Sequence, residues 1–102
     1  MDNMRALLVG GGAAEAARLA VRLAPGAMVI CFAPDRAAAD AISRAFASRA
    51  PDARVSVMIG DPALLVHKVA GPFDVIVDAH GTAAAPRARL RQLLRENGEL
   101  DG

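Results

Sequence analysis

The sequence predicts a single α/β domain over residues 1–102, built on a parallel sheet, and three observations carry this prediction. Short aliphatic or β-branched runs alternate with longer stretches in which apolar residues recur every three or four positions. Glycine, proline or helix-capping residues separate the two kinds of segment. With 54% hydrophobic and 23% charged residues, the chain also has the composition of a folded domain with one modest core.

Two strand and helix units make up the first half of the chain. The glycines 10–12 end an aliphatic run, and Pro25-Gly26 ends the helix that follows them. Asp35 is a favourable N-cap residue for the next helix. The predicted strands are 6–9 and 28–32, and the predicted helices are 13–23 and 36–47.

The second half repeats this pattern. Residues 54–59 alternate in polarity, which predicts an edge strand with one better-buried face. Asp61-Pro62 begins a short helix that ends before Gly71-Pro72, since the first pair is an N-cap with proline at the first helical position. Residues 73–79 are almost continuously apolar, as in a central parallel strand, and a last helix is predicted over 86–96.

The glycine turn between the first strand and the first helix is the clearest candidate for a binding site. Glycines allow positive φ and close approach of a ligand to the backbone, and a helix N-terminus offers N–H groups to an anion or polar cofactor. A glycine-rich turn that only packs helix on strand remains the alternative. A strict dinucleotide fingerprint requires a third glycine three residues after the second, where this chain has Glu15.

Four stretches at the ends of the predicted strands follow one another in a recognisable order. They are 7–14 (LLVGGGAA), 29–35 (VICFAPD), 55–61 (VSVMIGD) and 71–79 (GPFDVIVDA). Together they resemble the class I S-adenosylmethionine-dependent methyltransferases, in particular their O-methyltransferase group. The resemblance covers nearly the whole chain, but its motifs are degenerate.

The resemblance implies a Rossmann-like three-layer sandwich with a short parallel sheet of order 3-2-1-4, truncated before the C-terminal strands of a full methyltransferase. It also implies that S-adenosylmethionine, or its demethylated product, binds where the carboxyl ends of the strands meet. The residues expected to line that pocket are Gly10, Gly12, Ala33, Asp35, Asp61 and Asp78.

Several positions depart from the family pattern. Leu8 and Ala33 stand where members carry acidic residues, and Asp35, two positions further on, is also interpreted as a helix cap. Asp61 matches the adenine-side residue and is an N-cap candidate as well. Asp78 matches a Mg²⁺ ligand of metal-dependent members, but one carboxylate without companions is a poor magnesium site, so no metal is expected.

Catalytic residues are not identified by this pattern. Gly81 occupies the position of the general-base lysine, which leaves Asp78 and His80 as the candidates. Three functions stay open. The first is a methyltransferase-like protein that binds S-adenosylmethionine, with turnover by this chain alone in doubt and a small-molecule methyl acceptor only if it is active. The others are a non-catalytic interaction or regulatory module on the same fold and an NAD(P)-binding module.

Charge and composition limit the partners. Twelve basic against eleven acidic residues, with three Phe and no Trp or Tyr, argue against nucleic acid, and no apolar run is long enough for a membrane span. The single cysteine, Cys31, fits a reducing, cytoplasmic setting. Because 73–79 would be an apolar edge, beside the apolar helix face of Leu90, Leu93 and Leu94, a homo-oligomer through the Phe73 to Ala79 side is expected.

Overall fold

The computed structural model describes residues 4–79 and 84–101 and contains the predicted alternation of strands and helices. Its strands are β1 (Arg5–Val9), β2 (Met28–Ala33), β3 (Arg54–Ile59), β4 (Phe73–Asp78) and β5 (Leu94–Asp101). Its helices are α1 (Ala13–Ala20), α2 (Arg36–Arg49), α3 (Pro62–Leu65) and α4 (Ala84–Leu93).

All strand pairs are parallel, and the sheet has the order β3-β2-β1-β4-β5. The predicted order 3-2-1-4 is therefore confirmed for the first four strands, with β3 at one edge as expected. β1 lies in the middle and pairs with β2 on one side and with β4 on the other. The order reverses at β1 and β4, the switch point at which open α/β sheets bind ligands.

The expectation that the sheet ends at β4 is wrong, because β5 pairs along it. Phe73 is in register with Leu94 and Val75 with Glu99, and the extra residues between them form a bulge. A strand beside β4 was not expected because residues 94–96 were assigned to the last helix, which left too few residues after Gly98 to cover the edge. The helix in fact ends at Leu93, and β5 begins at Leu94. The stated reason for association through β4 is lost, and self-association itself stays a prediction.

Helices cover both faces of the sheet, which gives the predicted three layers. On one face, α1 and α2 enclose Leu8, Cys31 and Phe46 in one apolar cluster. On the other face, α3 and α4 enclose a second cluster around Leu7 and Phe32. Leu90 and Leu93 of α4 are fully or almost fully buried in that cluster, so they do not form the exposed apolar face that was expected.

Besides α4, two further helices end earlier than predicted. Helix α1 ends at Ala20 because Arg22 and Leu23 donate to carbonyls three residues back, a tighter turn that closes the helix before Pro25. Helix α3 consists of the single turn Pro62–Leu65 instead of continuing to residue 70. Among the helices in the described residues, none is both long and apolar enough to cross a bilayer.

Candidate functional site

Four strands end at nearly the same level, and their following turns form one continuous edge. The Gly10 N–H donates to the Phe32 carbonyl (3.0 Å), and the Ala79 N–H donates to the Val9 carbonyl (3.0 Å). The Gly60 N–H donates to the Ala33 carbonyl (2.9 Å). These bonds align the glycine turn with the ends of β2, β3 and β4, so the predicted site residues do lie along one edge of the sheet.

The three glycines of the turn have different environments. Gly10 and Gly11 have φ values of 75° and 78°, in the region that side chains disfavour. A Cβ on Gly11 would also lie 2.9 Å from the Ala79 Cβ, so this glycine is required by packing against the end of β4. A Cβ on Gly12 would have no neighbour within 4 Å. Space for a ligand is therefore open over Gly12.

Glu15, which stands where a dinucleotide fingerprint has glycine, closes the turn instead. Its Oε1 accepts a hydrogen bond from the Gly12 N–H at 2.9 Å. This is one half of a capping box, and glycine has no side chain to supply the other half. The bond fixes the first turn of α1 to the glycine turn, and it occupies an N–H that a ligand would otherwise use.

Asp35 and Asp61 are both exposed and cap the helices that follow them. The Asp35 Oδ1 accepts from the Ala38 N–H (2.8 Å), and the Asp61 Oδ1 accepts from the Ala63 N–H (3.0 Å). The cap interpretation is confirmed for both residues. Ala33 is fully buried and brings no polar side chain to the end of β2.

Asp78 is the buried carboxylate of this edge. Its side chain is inaccessible to solvent, and its Oδ2 lies 3.4 Å from Nη1 of Arg87 on α4, whose side chain is one-third exposed. Within residues 4–79 and 84–101, no three His, Cys, Asp or Glu side chains are grouped closely enough to hold a metal ion. A guanidinium beside the carboxylate does not fit a magnesium site. His80 and Gly81 lie outside the described residues.

A cavity of about 240 Å³ opens between α1 and the ends of β4 and β5. Of the predicted site residues, Asp78 lines it. The other lining residues are Glu15, Arg18, Val77, Ala79 and Asp101. Sequence reasoning did not identify Arg18 or Asp101, because the strand that carries Asp101 was not predicted.

Two arginines of α4 contact other groups of the protein. Arg89 donates to the carbonyls of Val66 (3.0 Å) and Val69 (3.1 Å), and Arg87 pairs with Asp78. Just beyond α4, Nε of Arg95 lies 2.9 Å from Oδ1 of Asp74. Arg87, Arg89 and Arg95 therefore do not form a basic surface for an anionic partner.

Cys31 is a core residue of β2. Burial raises the pKa of its thiol from 9.0 to about 12, because the thiolate would lose its hydration. The thiol is therefore neutral near pH 7 and is not a nucleophile of this site.

Known structures share this architecture. A methyltransferase from Geobacter sulfurreducens matches 95% of this chain with a TM-score of 0.73 at 22% sequence identity. Human methyltransferase-like protein 13, solved in complex with SAH, matches 95% of it with a TM-score of 0.68 at 14% identity. A spermidine synthase in complex with the transition state analogue AdoDATO matches 94% of it with a TM-score of 0.64 at 23% identity.

The chain has the class I methyltransferase fold. It spans about half of the first two structures, 50% and 52% of their lengths, and 35% of the third. No family model and no curated protein matches the sequence. Since a spermidine synthase shares this fold, the fold alone does not specify an activity.

Proposed function

We propose that this chain is a methyltransferase-like protein that binds S-adenosylmethionine, or its demethylated product, at the carboxyl edge of β1 and β2. The observation that carries the proposal is the open space over Gly12, next to the switch point between β1 and β4. Two of the similar structures were solved with SAH or with AdoDATO, which supports a ligand of this class.

In this proposal, the glycine turn supplies the surface against which the ligand lies. Gly10 and Gly12 keep that surface free of side chains. Asp35 uses Oδ1 to cap α2, and its exposed carboxylate faces solvent, where it can accept bonds from ribose hydroxyls in place of a carboxylate at Ala33. Asp61 is exposed in the same way and can accept from the adenine amino group.

Methyl transfer would depend on the residues at the end of β4. S-adenosylmethionine supplies an activated methyl group, and a small-molecule acceptor would lie toward the end of β4. There, Oδ2 of Asp78 faces the Arg87 guanidinium, so this carboxylate is already engaged within the protein and is poorly placed to take a proton from an acceptor. Binding is therefore proposed ahead of turnover.

The second candidate is a non-catalytic interaction or regulatory module on the same fold. Ala33 favours it, because a buried alanine at the end of β2 leaves the ribose without its usual acceptor. An NAD(P)-binding module is less favoured, since Glu15 occupies the third glycine position and caps the turn.

Calorimetric titration with S-adenosylmethionine, S-adenosylhomocysteine and NADPH separates these functions. Binding of the first two alone supports the proposal, binding of NADPH alone supports the dinucleotide module, and no binding supports the non-catalytic module. Gly12→Val should abolish binding while circular dichroism stays unchanged, because the side chain fills ligand space and its Cβ meets no protein atom within 4 Å.

Ser48→Val is the matched control. It places the same β-branched side chain at an exposed position near the end of α2, on the side of the sheet where the strands begin. This variant should bind like the parent protein. If Gly12→Val also binds like the parent, the ligand lies elsewhere.

A further inference from the structure

An ion-pair network connects the end of α1 to β5. Arg22, just beyond the helix, pairs with Glu99 and also lies 3.6 Å from Asp101, measured from Nη1 to Oδ2. Arg18, one turn earlier, places Nη2 3.6 Å from the same Oδ2. Two arginines and two carboxylates therefore form one connected group of ion pairs.

The register of the sheet explains why these charges meet. Glu99 and Asp101 are paired with Val75 and Val77, so they point to the face of the sheet that α1 covers. Leu100 between them points to the other face and packs with the α4 cluster. The side of β5 that faces α1 is thus charged, and the arginines at the end of α1 pair with these charges.

The other end of α1 is fixed to the glycine turn. Glu15 binds the Gly12 N–H, and Gly11 fits against Ala79 with no room for a Cβ. Helix α1 is only eight residues, about 12 Å, long, so a displacement at its C-terminal end moves the turn at its N-terminal end. The cavity bounded by Glu15, Asp78 and Asp101 lies between these two attachments.

We propose that Arg18 and Arg22 are positioning residues for the ligand site. By holding α1 on β5, they set the separation between the glycine turn and the end of β4. This inference rests on the proposed function, because its ligand is the one proposed there. Arg18 also lines the cavity, whereas Arg22 does not, so Arg22 acts through α1 and tests the positioning role by itself.

Ionic strength is the first test. S-adenosylhomocysteine is the probe, because its charges sum to zero near pH 7 and salt acts weakly on the ligand itself. The Debye length falls from about 14 Å at roughly 0.05 M salt to about 3 Å at 1 M, which weakens partly exposed ion pairs. The Kd should rise about two- to fivefold over this range, the factor expected for one exposed pair to a small network.

Variants give the second test. Arg22→Ala should raise the Kd at low salt by a similar factor and remove most of its salt dependence. Exchanging the charges of this pair, with Arg22→Glu and Glu99→Arg together, should recover part of both effects, because the attraction between positions 22 and 99 returns while a glutamate at position 22 repels Asp101. A merely structural loss of packing would recover neither. Arg36→Ala is the matched control, since Arg36 pairs with Asp40 on the surface of α2, remote from β5, and it should leave both unchanged.

Amide hydrogen exchange of the ligand-free proteins gives a readout that needs no ligand. Exchange in residues 10–20 should be faster in Arg22→Ala than in Arg36→Ala. If exchange and Kd are the same in both variants, the positioning role is wrong while the proposed function stands. If S-adenosylhomocysteine binds no variant and not the parent, the proposed function is wrong and the inference falls with it. Glu99→Gln tests the same pairs should Arg22→Ala fail to fold.

Discussion

The two halves of the sheet are held together in different ways. Around β1, β2 and β3, each acidic residue after a strand bonds within three residues of itself: Glu15 to Gly12, Asp35 to Ala38, and Asp61 to Ala63. Around β4 and β5, carboxylates bond to distant parts of the chain. Asp74 accepts from the Arg5 N–H, 69 positions away, and Glu99 pairs with Arg22, 77 positions away.

This difference separates local from long-range stabilisation. A local cap stabilises its own helix even before the sheet is complete, because both partners are already close in the chain. A long-range pair exists only when the sheet has assembled. A substitution in the β4 and β5 half should therefore lower the stability of the whole fold. A substitution that removes a cap in the β1 to β3 half should destabilise mainly the helix that it caps.

The largest effect is expected from Gly71→Ala, which damages the β4 and β5 half. The added Cβ would lie 2.3 Å from the Leu93 carbonyl oxygen, at the junction of α4 and β5, so backbone must move. We expect the free energy of unfolding to fall by about 3 kcal/mol, at the upper end for overpacking. Urea denaturation measures it. Gly12→Ser is the control, because its side chain meets open space, and it should change stability by less than about 0.5 kcal/mol.

Asp78→Ala should have the next largest effect. It removes the carboxylate partner of Arg87 from a buried position, but the arginine is one-third exposed and regains part of its hydration. A loss of about 2 kcal/mol in unfolding free energy is expected from the same denaturation measurement. The double variant Asp78→Ala with Arg87→Ala should lose less than the sum of the two single variants. Simple additivity would show that the pair is not coupled.

Asp35→Ala tests local capping in the β1 to β3 half. Loss of the bond to the Ala38 N–H should cost about 1 kcal/mol, the usual contribution of an N-cap. Asp35→Ser should keep most of the stability, since serine also caps helices. Thermal unfolding followed by circular dichroism compares the three proteins. Equal destabilisation by alanine and serine would contradict a local capping role.

The smallest effect is a pH dependence that reports on β2 alone. Burial raises the pKa of the Cys31 thiol from 9.0 to about 12, so the folded thiol stays protonated while the unfolded thiol ionises above pH 9. Ionisation of the unfolded state lowers stability as pH rises, by about 0.8 kcal/mol at roughly pH 9.5. The measurement is the difference in unfolding free energy between about pH 7.5 and about pH 9.5, and Cys31→Ala should lack this component.

The sequence was sufficient to predict the elements that local interactions stabilise. Four strands and the caps at Asp35 and Asp61 were predicted because strand periodicity, turn residues and capping residues all lie within a few positions of the element that they define. The order of the strands came instead from the resemblance to the methyltransferases. That the glycine turn and the strand ends share one edge followed from the parallel sheet itself, and ligand binding at that edge stays a prediction.

What sequence reasoning missed depends on contacts across the chain. Strand β5 carries four charged residues and a bulge, and its apolar Leu94 and Leu100 alone do not make a strand pattern. The available signal was Gly98, whose missing Cβ lets β5 approach within contact of the Asp74 carbonyl. Arg87 could not be assigned to Asp78 before the position of α4 was known. Likewise, the sequence alone does not distinguish Gly11, which has no room for a Cβ, from Gly12, which has room for one. That difference depends on where the end of β4 lies.

The central position of β1 has a consequence for biosynthesis. The first of these five strands to emerge from the ribosome is the innermost strand of the sheet, and its second neighbour, β4, lies almost seventy residues later. Until β4 is made, the nascent chain exposes one full edge of an aliphatic strand, and closing the long loop costs entropy that local helices do not recover. A nascent chain arrested before residue 73 would therefore present an unpaired strand edge, and holding chaperones would bind it more tightly than the finished domain.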